Sequence, residues 1–197
     1  MRASLFFIAK RGDKSVNYVE PIRDVTQIDN ICSYLKDTNE RDYILFMLGI
    51  YTGLRVSDIL KLKISDVSKK DYIKLKEQKT GKQKIILINP ILKRALKDYC
   101  KDKDPDDYII KSRECYNRPI TRVRAYQILR DVGDMFGVEN LGTHSMRKTW
   151  GYHYYKQTKD IALLQKTFNH ATPAITLHYI GIDQDCINKA YKTFRYH

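Results

Sequence analysis

Apolar residues recur at helical spacing along most of the chain from residue 26 onward. The apolar side chains between Thr26 and Leu35 fall on one helical face, and Thr26 is the predicted N-cap. The stretch from Tyr43 to Tyr51 is apolar nearly throughout, which is typical of a buried helix. Gly53 is expected to end that helix, because glycine readily adopts the left-handed conformation of a helix terminus.

The pattern changes between residues 71 and 89, where short runs rich in isoleucine and tyrosine alternate with lysine. The runs DYIKLKEQ and KIILIN predict two antiparallel strands, with a turn at Thr80-Gly81-Lys82. A short helix that starts at Arg55 precedes this hairpin, and Pro90 suits the first turn of the helix that follows it. Within residues 25–182 this hairpin is the one sheet that the pattern predicts.

The second half of the chain returns to helical periodicity. Thr121, Thr143 and the pair Thr172-Pro173 are predicted helix starts. The predicted helices cover residues 121–136, 143–156, 159–168, 173–180 and 185–194. These elements predict a mainly α fold with a small antiparallel β-sheet, of the α+β class.

Three segments are predicted. Residues 1–24 form an N-terminal arm or short hairpin, residues 25–182 form the main domain, and residues 183–197 form a tail helix. The apolar positions of the tail lie on one helical face: Ile187, Ala190, Tyr191 and Phe194. That face either packs on its own domain or remains available to a partner.

The charge balance favours a polyanionic partner. The 197 residues contain 36 Lys and Arg against 23 Asp and Glu, a net charge of +13. Nucleic acid is the first candidate, an anionic membrane surface is the second, and a merely basic protein is the bland alternative. No apolar run reaches the roughly 20 residues of a membrane span, and the N terminus does not resemble a signal peptide, so a cytoplasmic location is expected. The four cysteines lack C-x-x-C spacing, which argues against a zinc site.

Six residues along the chain have side chains suited to breaking a phosphodiester. They are Arg55, Lys79, His144, Arg147, His170 and Tyr179. Two guanidinium groups can hold phosphate oxygens bidentately, and a lysine on a turn can protonate a leaving oxygen. A phenol with an ordinary pKa near 10 is a poor nucleophile unless an imidazole or cations assist it. Each residue alone has an ordinary surface explanation, and only their joint order favours chemistry.

The sequence segments around these residues resemble motifs of the tyrosine recombinases, which include phage and transposon integrases. The matching segments are TGLRVSDILKL, QKTGKQ, GTHSMRKTW and NHATPAITLHYI, and the resemblance covers about residues 25–190. The spacings also agree with the family: 24 residues from Arg55 to Lys79, 23 from Arg147 to His170, and nine from His170 to Tyr179. The pair Phe168-Asn169 departs from the usual Leu-Gly, although asparagine tolerates a left-handed backbone.

The resemblance implies a role for each of the six residues. Arg55 and Arg147 would clamp the phosphate, and Lys79 would protonate the leaving hydroxyl. His144 would accept a proton, His170 would hydrogen-bond the phosphate, and Tyr179 would be the nucleophile that forms a 3′-phosphotyrosine. The resemblance implies no ATP, because the phosphotyrosine stores the bond energy. No metal or other cofactor is expected if the cationic side chains stabilise the reaction.

The resemblance also implies partners. These are double-stranded DNA, further copies of the chain assembled on DNA, and an accessory DNA-bending or directionality protein, but no membrane. In the family a C-terminal tail often docks into a neighbouring protomer, whereas an N-terminal DNA-clamping domain usually precedes the catalytic one. Residues 1–24 are too short to be that domain, so the chain is expected to be an excised catalytic domain or a short member.

Basic residues near the hairpin and along the 121–136 helix are candidates for DNA contacts. They are Lys61, Lys63, Lys76, Lys82, Lys84, Arg122 and Arg124. Two rival functions use similar features: a type IB topoisomerase, which relaxes supercoils alone, and an accessory DNA-binding module that has lost catalysis. The second rival would be favoured if Tyr179 or Lys79 pointed away from the arginines.

Overall fold

The fold is mainly helical with one two-stranded antiparallel sheet, as predicted, in a computed structural model that describes residues 19–114 and 116–196. Within those ranges the elements are α1 (Val25–Thr38), α2 (Glu40–Thr52), α3 (Val56–Ile59), α4 (Ile64–Val67), β1 (Tyr72–Lys76), β2 (Gln83–Leu87), α5 (Pro90–Tyr99), α6 (Arg122–Met135), α7 (Thr143–Thr158), α8 (Ile161–Phe168), α9 (Pro173–Tyr179) and α10 (Ile182–Thr193). β1 pairs with β2 from Tyr72 opposite Leu87 to Lys76 opposite Gln83. None of the helices in this part of the chain is long and apolar enough to cross a membrane.

Several predicted helix starts were displaced by one to three residues. Asp24, not Thr26, caps α1, because the Asp24 carboxylate accepts a hydrogen bond from the Thr26 amide. Thr143 is the first residue of α7 rather than its cap, and the preceding Gly142 amide donates to the Ser145 hydroxyl at 3.1 Å. The predictions at Thr121 and at Thr172-Pro173 are confirmed by side-chain caps on α6 and α9.

The ends of other segments also differ from prediction. α8 begins at Ile161 with an Asp160 cap, and α10 begins at Ile182, so almost no linker separates the tail helix from α9. Of the predicted N-terminal hairpin, residues 1–18 lie outside the described residues, and residues 19–24 form neither helix nor strand. Strands were therefore placed correctly at 72–87 but are not observed in the described part of the arm.

Two apolar clusters meet at α7. The larger cluster contains side chains from α1 to α6 and includes Met146 on the first turn of α7. The smaller cluster contains Tyr152 from α7 together with residues of α8, α9 and α10. Gly151 allows this second contact, because a Cβ there would lie 2.7 Å from the Phe168 ring and 2.8 Å from Ile180. α7 therefore connects the body of the fold to the segment that carries Tyr179.

The predicted apolar face of α10 is largely exposed to solvent. Ile187 is 48% exposed, Tyr191 83% and Phe194 60%, whereas Ile182 at the start of the helix is buried. Within the described residues most of this face does not pack against the main domain. The helix is instead held at its first turn, where Asp185 accepts hydrogen bonds from Arg23 and from Tyr152.

Candidate active site

The six predicted catalytic residues come from five different places in the fold. Arg55 is the N-cap of α3, and Lys79 lies in the turn between β1 and β2. His144 and Arg147 occupy the first turns of α7. His170 lies in the connection between α8 and α9, and Tyr179 is the last residue of α9. Contacts among these elements bring five of the six into one cluster, with Lys79 at its edge.

Arg147 is at the centre of the cluster and is only 2% exposed. Its guanidinium donates to the carbonyl oxygen of Gly53 and to that of Phe168, the latter at 3.4 Å. It also stacks on the Phe168 ring, with its Cζ atom 4.3 Å from the ring centroid. Burial lowers the pKa of Arg147 and the nearby Tyr179 opposes that change, but a guanidinium stays charged at neutral pH. Arg147 is therefore a fixed cation with hydrogen-bond donors to spare.

Gly53 provides one of these anchors because of its backbone conformation. It ends α2 with φ at +61°, in the left-handed region that was expected of it. A Cβ at this position would also lie 2.7 Å from the Trp150 ring. Glycine thus satisfies the turn and the close packing at once, and its carbonyl oxygen points at Arg147.

Arg55 lies beside two buried carboxylates. Its Nη1 atom is 3.0 Å from Glu77 Oε1 and 4.0 Å from Asp58 Oδ2. Burial raises the pKa of Glu77, but a hydrogen bond from Thr80 and the charges of Lys84 and Arg55 outweigh it, so the pKa falls below its ordinary value. An ionised Glu77 offsets part of the positive charge around the two arginines.

Tyr179 is packed against aromatic rings, and its hydroxyl lies near an imidazole. The hydroxyl oxygen is 3.4 Å from His144 Nδ1. The ring is in edge contact with His170, at 5.0 Å between centroids, and with Phe168, at 5.4 Å. Burial raises the pKa of Tyr179, and the charges of Arg147 and Arg55 act against the rise. Such a phenol needs a nearby group to take its proton before it can attack.

His144 has the properties of such a proton acceptor. Burial lowers its pKa from the ordinary 6.5, and the charges of Arg147, Lys148, Arg55 and Lys79 lower it further. The imidazole is therefore neutral at neutral pH and has a free lone pair to receive a proton. Its distance of 3.4 Å from the Tyr179 hydroxyl is within the looser range of unliganded sites.

His170 is positioned by a left-handed residue at the end of α8. Asn169 has φ at +59°, which confirms that asparagine supports this turn in place of glycine. His170 Nδ1 lies 3.1 Å from the Thr176 hydroxyl oxygen, which fixes the plane of the ring. Burial and then the charges of Arg147, Arg55 and Lys79 lower the pKa of His170. A neutral imidazole here can hydrogen-bond a phosphate without adding charge.

Lys79 is exposed at the tip of the hairpin, across an opening from the buried cations. A cleft of about 330 Å³ is lined by Arg55, Gln78, Lys79, Arg122 and His144, among others. Arg147, His170 and Tyr179 are not part of that lining. The cleft therefore joins the lysine to the Arg55 and His144 sides of the cluster, and the half-buried Tyr179 lies outside its lining.

The candidate DNA-contact residues have different settings. Lys61, Lys76 and Arg124 are exposed, and Arg122 lines the cleft. Lys82 donates to the Asn169 side chain at 2.7 Å, and Lys63 pairs with Asp106 at 3.3 Å. Lys84 is directed inward: it donates to the Thr167 carbonyl at 3.1 Å and lies 3.7 Å from Glu77. Its setting differs from that expected of a surface phosphate contact.

The sequence interpretation did not include the acidic residues of the site. Asp58 is 2% exposed and Glu77 is 5% exposed, and both lie next to Arg55. A signal was present, because a cluster of buried cations requires compensating charge. The candidates Asp58 and Glu77 lie three residues after Arg55 and two before Lys79.

Comparison with known proteins assigns the chain to a family. Residues 23–185 match the phage integrase family. The probable integrase/recombinase YoeC of Bacillus subtilis (strain 168) is 46% identical over 179 residues, which cover 91% of this chain and 98% of YoeC. The tyrosine recombinase XerA of Thermococcus onnurineus (strain NA1) is 26% identical, with 86% of this chain and 61% of XerA covered. The match thus extends over nearly all of YoeC but over only 61% of the longer XerA protein.

Solved structures agree in fold. A XerA recombinase structure matches with a TM-score of 0.71 at 22% identity, covering 94% of this chain and 68% of that one. A lambda integrase dimer bound to a COC′ core site matches with a TM-score of 0.63 at 18% identity, covering 83% and 60%. The family match over residues 23–185 and the 46% identity to YoeC show that this chain belongs to the phage integrase family.

Proposed function

We propose that this protein is a site-specific DNA recombinase that cleaves and rejoins DNA through a 3′-phosphotyrosine at Tyr179. The observation that carries the proposal is the Tyr179 hydroxyl, 3.4 Å from His144 and close to the positive charges of Arg147 and Arg55. Phosphoryl transfer needs little beyond positioning and charge stabilisation, and both are provided by this arrangement.

The reaction begins with attack of the Tyr179 oxygen on phosphorus, while His144 takes the phenol proton. Arg55, Arg147 and His170 stabilise the negative charge that develops on the non-bridging oxygens. The bond from phosphorus to the 5′-oxygen breaks, and Lys79 gives that oxygen a proton. A 5′-hydroxyl from another strand then attacks the adduct, the proton transfers reverse, and Tyr179 is released. Neither metal nor ATP takes part.

Double-stranded DNA is the substrate, and the active unit is an assembly of protomers on it. The net charge of +13 and the exposed Lys61, Lys76 and Arg124 support binding to the backbone of DNA. A lambda integrase dimer on a core site and XerH on its difH substrate are DNA-bound structures of similar fold. An accessory protein that bends DNA would set the direction of the reaction.

The segments divide this work as follows. Residues 25–182 carry the chemistry, residues 1–24 lead into that domain, and residues 183–197 contact a neighbouring protomer. Exposed apolar side chains on α10 support the third role, because Tyr191 and Phe194 remain 83% and 60% exposed.

A covalent-adduct assay tests the proposal. Wild type, Tyr179→Phe and the matched control Tyr155→Phe are mixed in EDTA with nicked duplexes from a randomised pool, and adducts stable in SDS are counted. We expect adducts with wild type and Tyr155→Phe and none with Tyr179→Phe, with DNA binding retained by all three. An adduct with Tyr179→Phe, or none with wild type bound to DNA, contradicts the proposal.

A further inference from the structure

Glu77 contacts two parts of the site that lie on different elements: Arg55 at the start of α3, and the turn that carries Lys79. It follows β1 directly, and its side chain is only 6% exposed. Its Oε1 atom is 3.0 Å from Arg55 Nη1 and 3.7 Å from Lys84 Nζ. Its Oε2 atom accepts a hydrogen bond from the Thr80 hydroxyl at 2.8 Å. One carboxylate thus contacts a phosphate-clamping arginine on one side and the Lys79 turn on the other.

The turn that carries Lys79 is held at its base and on both sides of Lys79. Before Lys79, the Gln78 amide donates to the Asp58 carboxylate at 2.9 Å. The Glu77 amide donates to the Lys82 carbonyl at 2.9 Å, and the Gly81 amide donates to the Glu77 carbonyl at 2.9 Å. The Thr80 hydroxyl, next to Lys79, is the side-chain contact that ties the far half of the turn to Glu77. Lys79 itself is exposed, so the direction of its ammonium group depends on these neighbours.

The negative charge of Glu77 also stabilises the cations around it. Burial, and then the charges of Arg147 and Arg55, lower the pKa of Lys84. The negative charge of Glu77 opposes that decrease. Three cations in a poorly hydrated space repel one another, and a buried carboxylate between them reduces that repulsion. An arginine offers five N–H donors, so Arg55 can keep Glu77 and still bind a phosphate.

We propose that Glu77 is a positioning residue that sets the Lys79 turn and the Arg55 guanidinium in register with each other. The inference rests on the proposed function, since it assigns Lys79 to protonation of the 5′-oxygen and Arg55 to the phosphate. Because the Glu77 side chain is only 6% exposed, the proposal gives it no contact with the DNA or the reacting atoms. It acts through Thr80 on the proton donor and through a direct ion pair on the clamp.

Two substrates separate these actions. In a duplex with a 5′-bridging phosphorothiolate the leaving group is a thiolate, which needs no proton from Lys79. Lys79→Ala is expected to slow cleavage of the ordinary phosphodiester by about 100-fold and to recover on the phosphorothiolate. Thr80→Val, which removes the hydroxyl from the turn, should slow the phosphodiester about ten-fold, recover on the phosphorothiolate, and be restored by Thr80→Ser.

Glu77→Gln and Glu77→Ala complete the test. Both substitutions should slow cleavage of the phosphodiester. On the phosphorothiolate the cleavage rate should recover only in part, because the effect on Arg55 remains. In a Lys79→Ala background the Glu77 substitution should cost less than it does alone, because the donor is already absent. These tests use Glu77→Gln and Thr80→Val protein that melts like wild type. The inference would be overturned if these variants lost the same activity on both substrates. It would also be overturned if their losses were fully additive with that of Lys79→Ala. Wild type that cleaves neither substrate would instead contradict the proposed function.

Discussion

At the scale of single residues, each of the two arginines of the site has partners that fix its direction. Arg147 is held by two backbone carbonyls and an aromatic ring, whereas Arg55 is held by Glu77. Preorganised charges of this kind need no rearrangement when negative charge develops on a phosphate. Their contribution is therefore expected to appear in the rate of cleavage more than in the affinity for DNA.

Removing the Arg147 guanidinium is expected to slow adduct formation by about 100-fold to 1,000-fold, as for loss of a transition-state donor. Arg147→Ala also leaves two buried carbonyl oxygens without their donor, which lowers stability by about 1–3 kcal/mol. Single-turnover cleavage at saturating protein measures the first effect, and thermal unfolding measures the second. A rate within three-fold of wild type in folded Arg147→Ala protein would remove this residue from the clamp.

The pH dependence should follow His144. A proton acceptor works only when neutral, and the pKa of His144 lies below the ordinary 6.5, so cleavage should stay constant through neutral pH and fall in mild acid. The acid limb should change shape in His144→Gln protein. An unchanged acid limb in that variant would assign the proton transfer to another group.

Protein stability should fall in the same acid range. The folded protein holds His144 and His170 with lowered pKa values, so the unfolded chain binds more protons as the pH drops through about 6.5. The stability contributed by the neutral imidazoles is therefore present above that pH and decreases below it. Urea unfolding of wild type and His144→Gln at pH 7.5 and pH 5.5 measures the difference, which should be smaller in the variant.

At the scale of elements, the site depends on the close approach of α7 to α8 and α9. Gly151 makes this contact possible, since a Cβ there would meet Phe168 and Ile180 below 3 Å. Phe168 in turn contacts Arg147, His170 and Tyr179. Spacing between these helices is thus transmitted directly to the catalytic cluster.

Gly151→Ala is expected to destabilise the protein by about 1–3 kcal/mol, as overpacking does, and to slow cleavage in the protein that remains folded. Gly137→Ala is the matched control, because it strains a backbone with φ at +63° but has nothing within 4 Å of the added methyl group. The control should lose stability and keep its cleavage rate. If both variants cleave equally well, helix spacing does not govern the site.

Most elements could be predicted from sequence because their signals are local. Gly53, Pro90, Thr121 and Thr172 mark helix boundaries that the structure confirms. Thr26 and Thr143 were misassigned, since Asp24 and Gly142 stand close by and pattern alone does not rank two candidate caps. The need for negative charge beside the arginines could be read from the sequence, but the pairing of Glu77 with Arg55 and the inward direction of Lys84 depend on contacts between segments far apart in the chain.

At the scale of the whole molecule, the fold leaves two features without an internal use. One is the positive charge, +13 over 197 residues. The other is the exposed apolar face of α10, whose first turn is anchored to Arg23 and Tyr152 while its remainder extends from the body. Both are explained if the working unit is a set of protomers on DNA.

Affinity for DNA should fall steeply with salt, by about 0.9 log units per log unit of salt for each phosphate neutralised. Fluorescence anisotropy with a labelled duplex, at KCl concentrations from about 50 to about 300 mM, measures the slope. Lys76→Gln should reduce the slope by about one. Affinity that does not depend on salt would contradict binding through the DNA backbone.

Tyr191→Ser should weaken assembly on DNA while changing the stability of the free chain by less than about 0.5 kcal/mol, because the residue is 83% exposed. Lys189→Gln, on the opposite face of α10, is the control and should assemble normally. Native gels of protein on a duplex with two binding sites report the stoichiometry. Normal assembly by Tyr191→Ser would assign the apolar face no role between protomers.

In the proposed reaction Tyr179 becomes bonded to a 3′-phosphate of DNA. Mass spectrometry of the adduct after digestion of both protein and DNA, combined with labelling of the freed DNA end, tests this bond. We predict a phosphonucleotide on the peptide that contains Tyr179 and a free 5′-hydroxyl on the other fragment. Attachment to another residue, or linkage through the 5′ end, would exclude Tyr179 as the nucleophile that forms a 3′-phosphotyrosine.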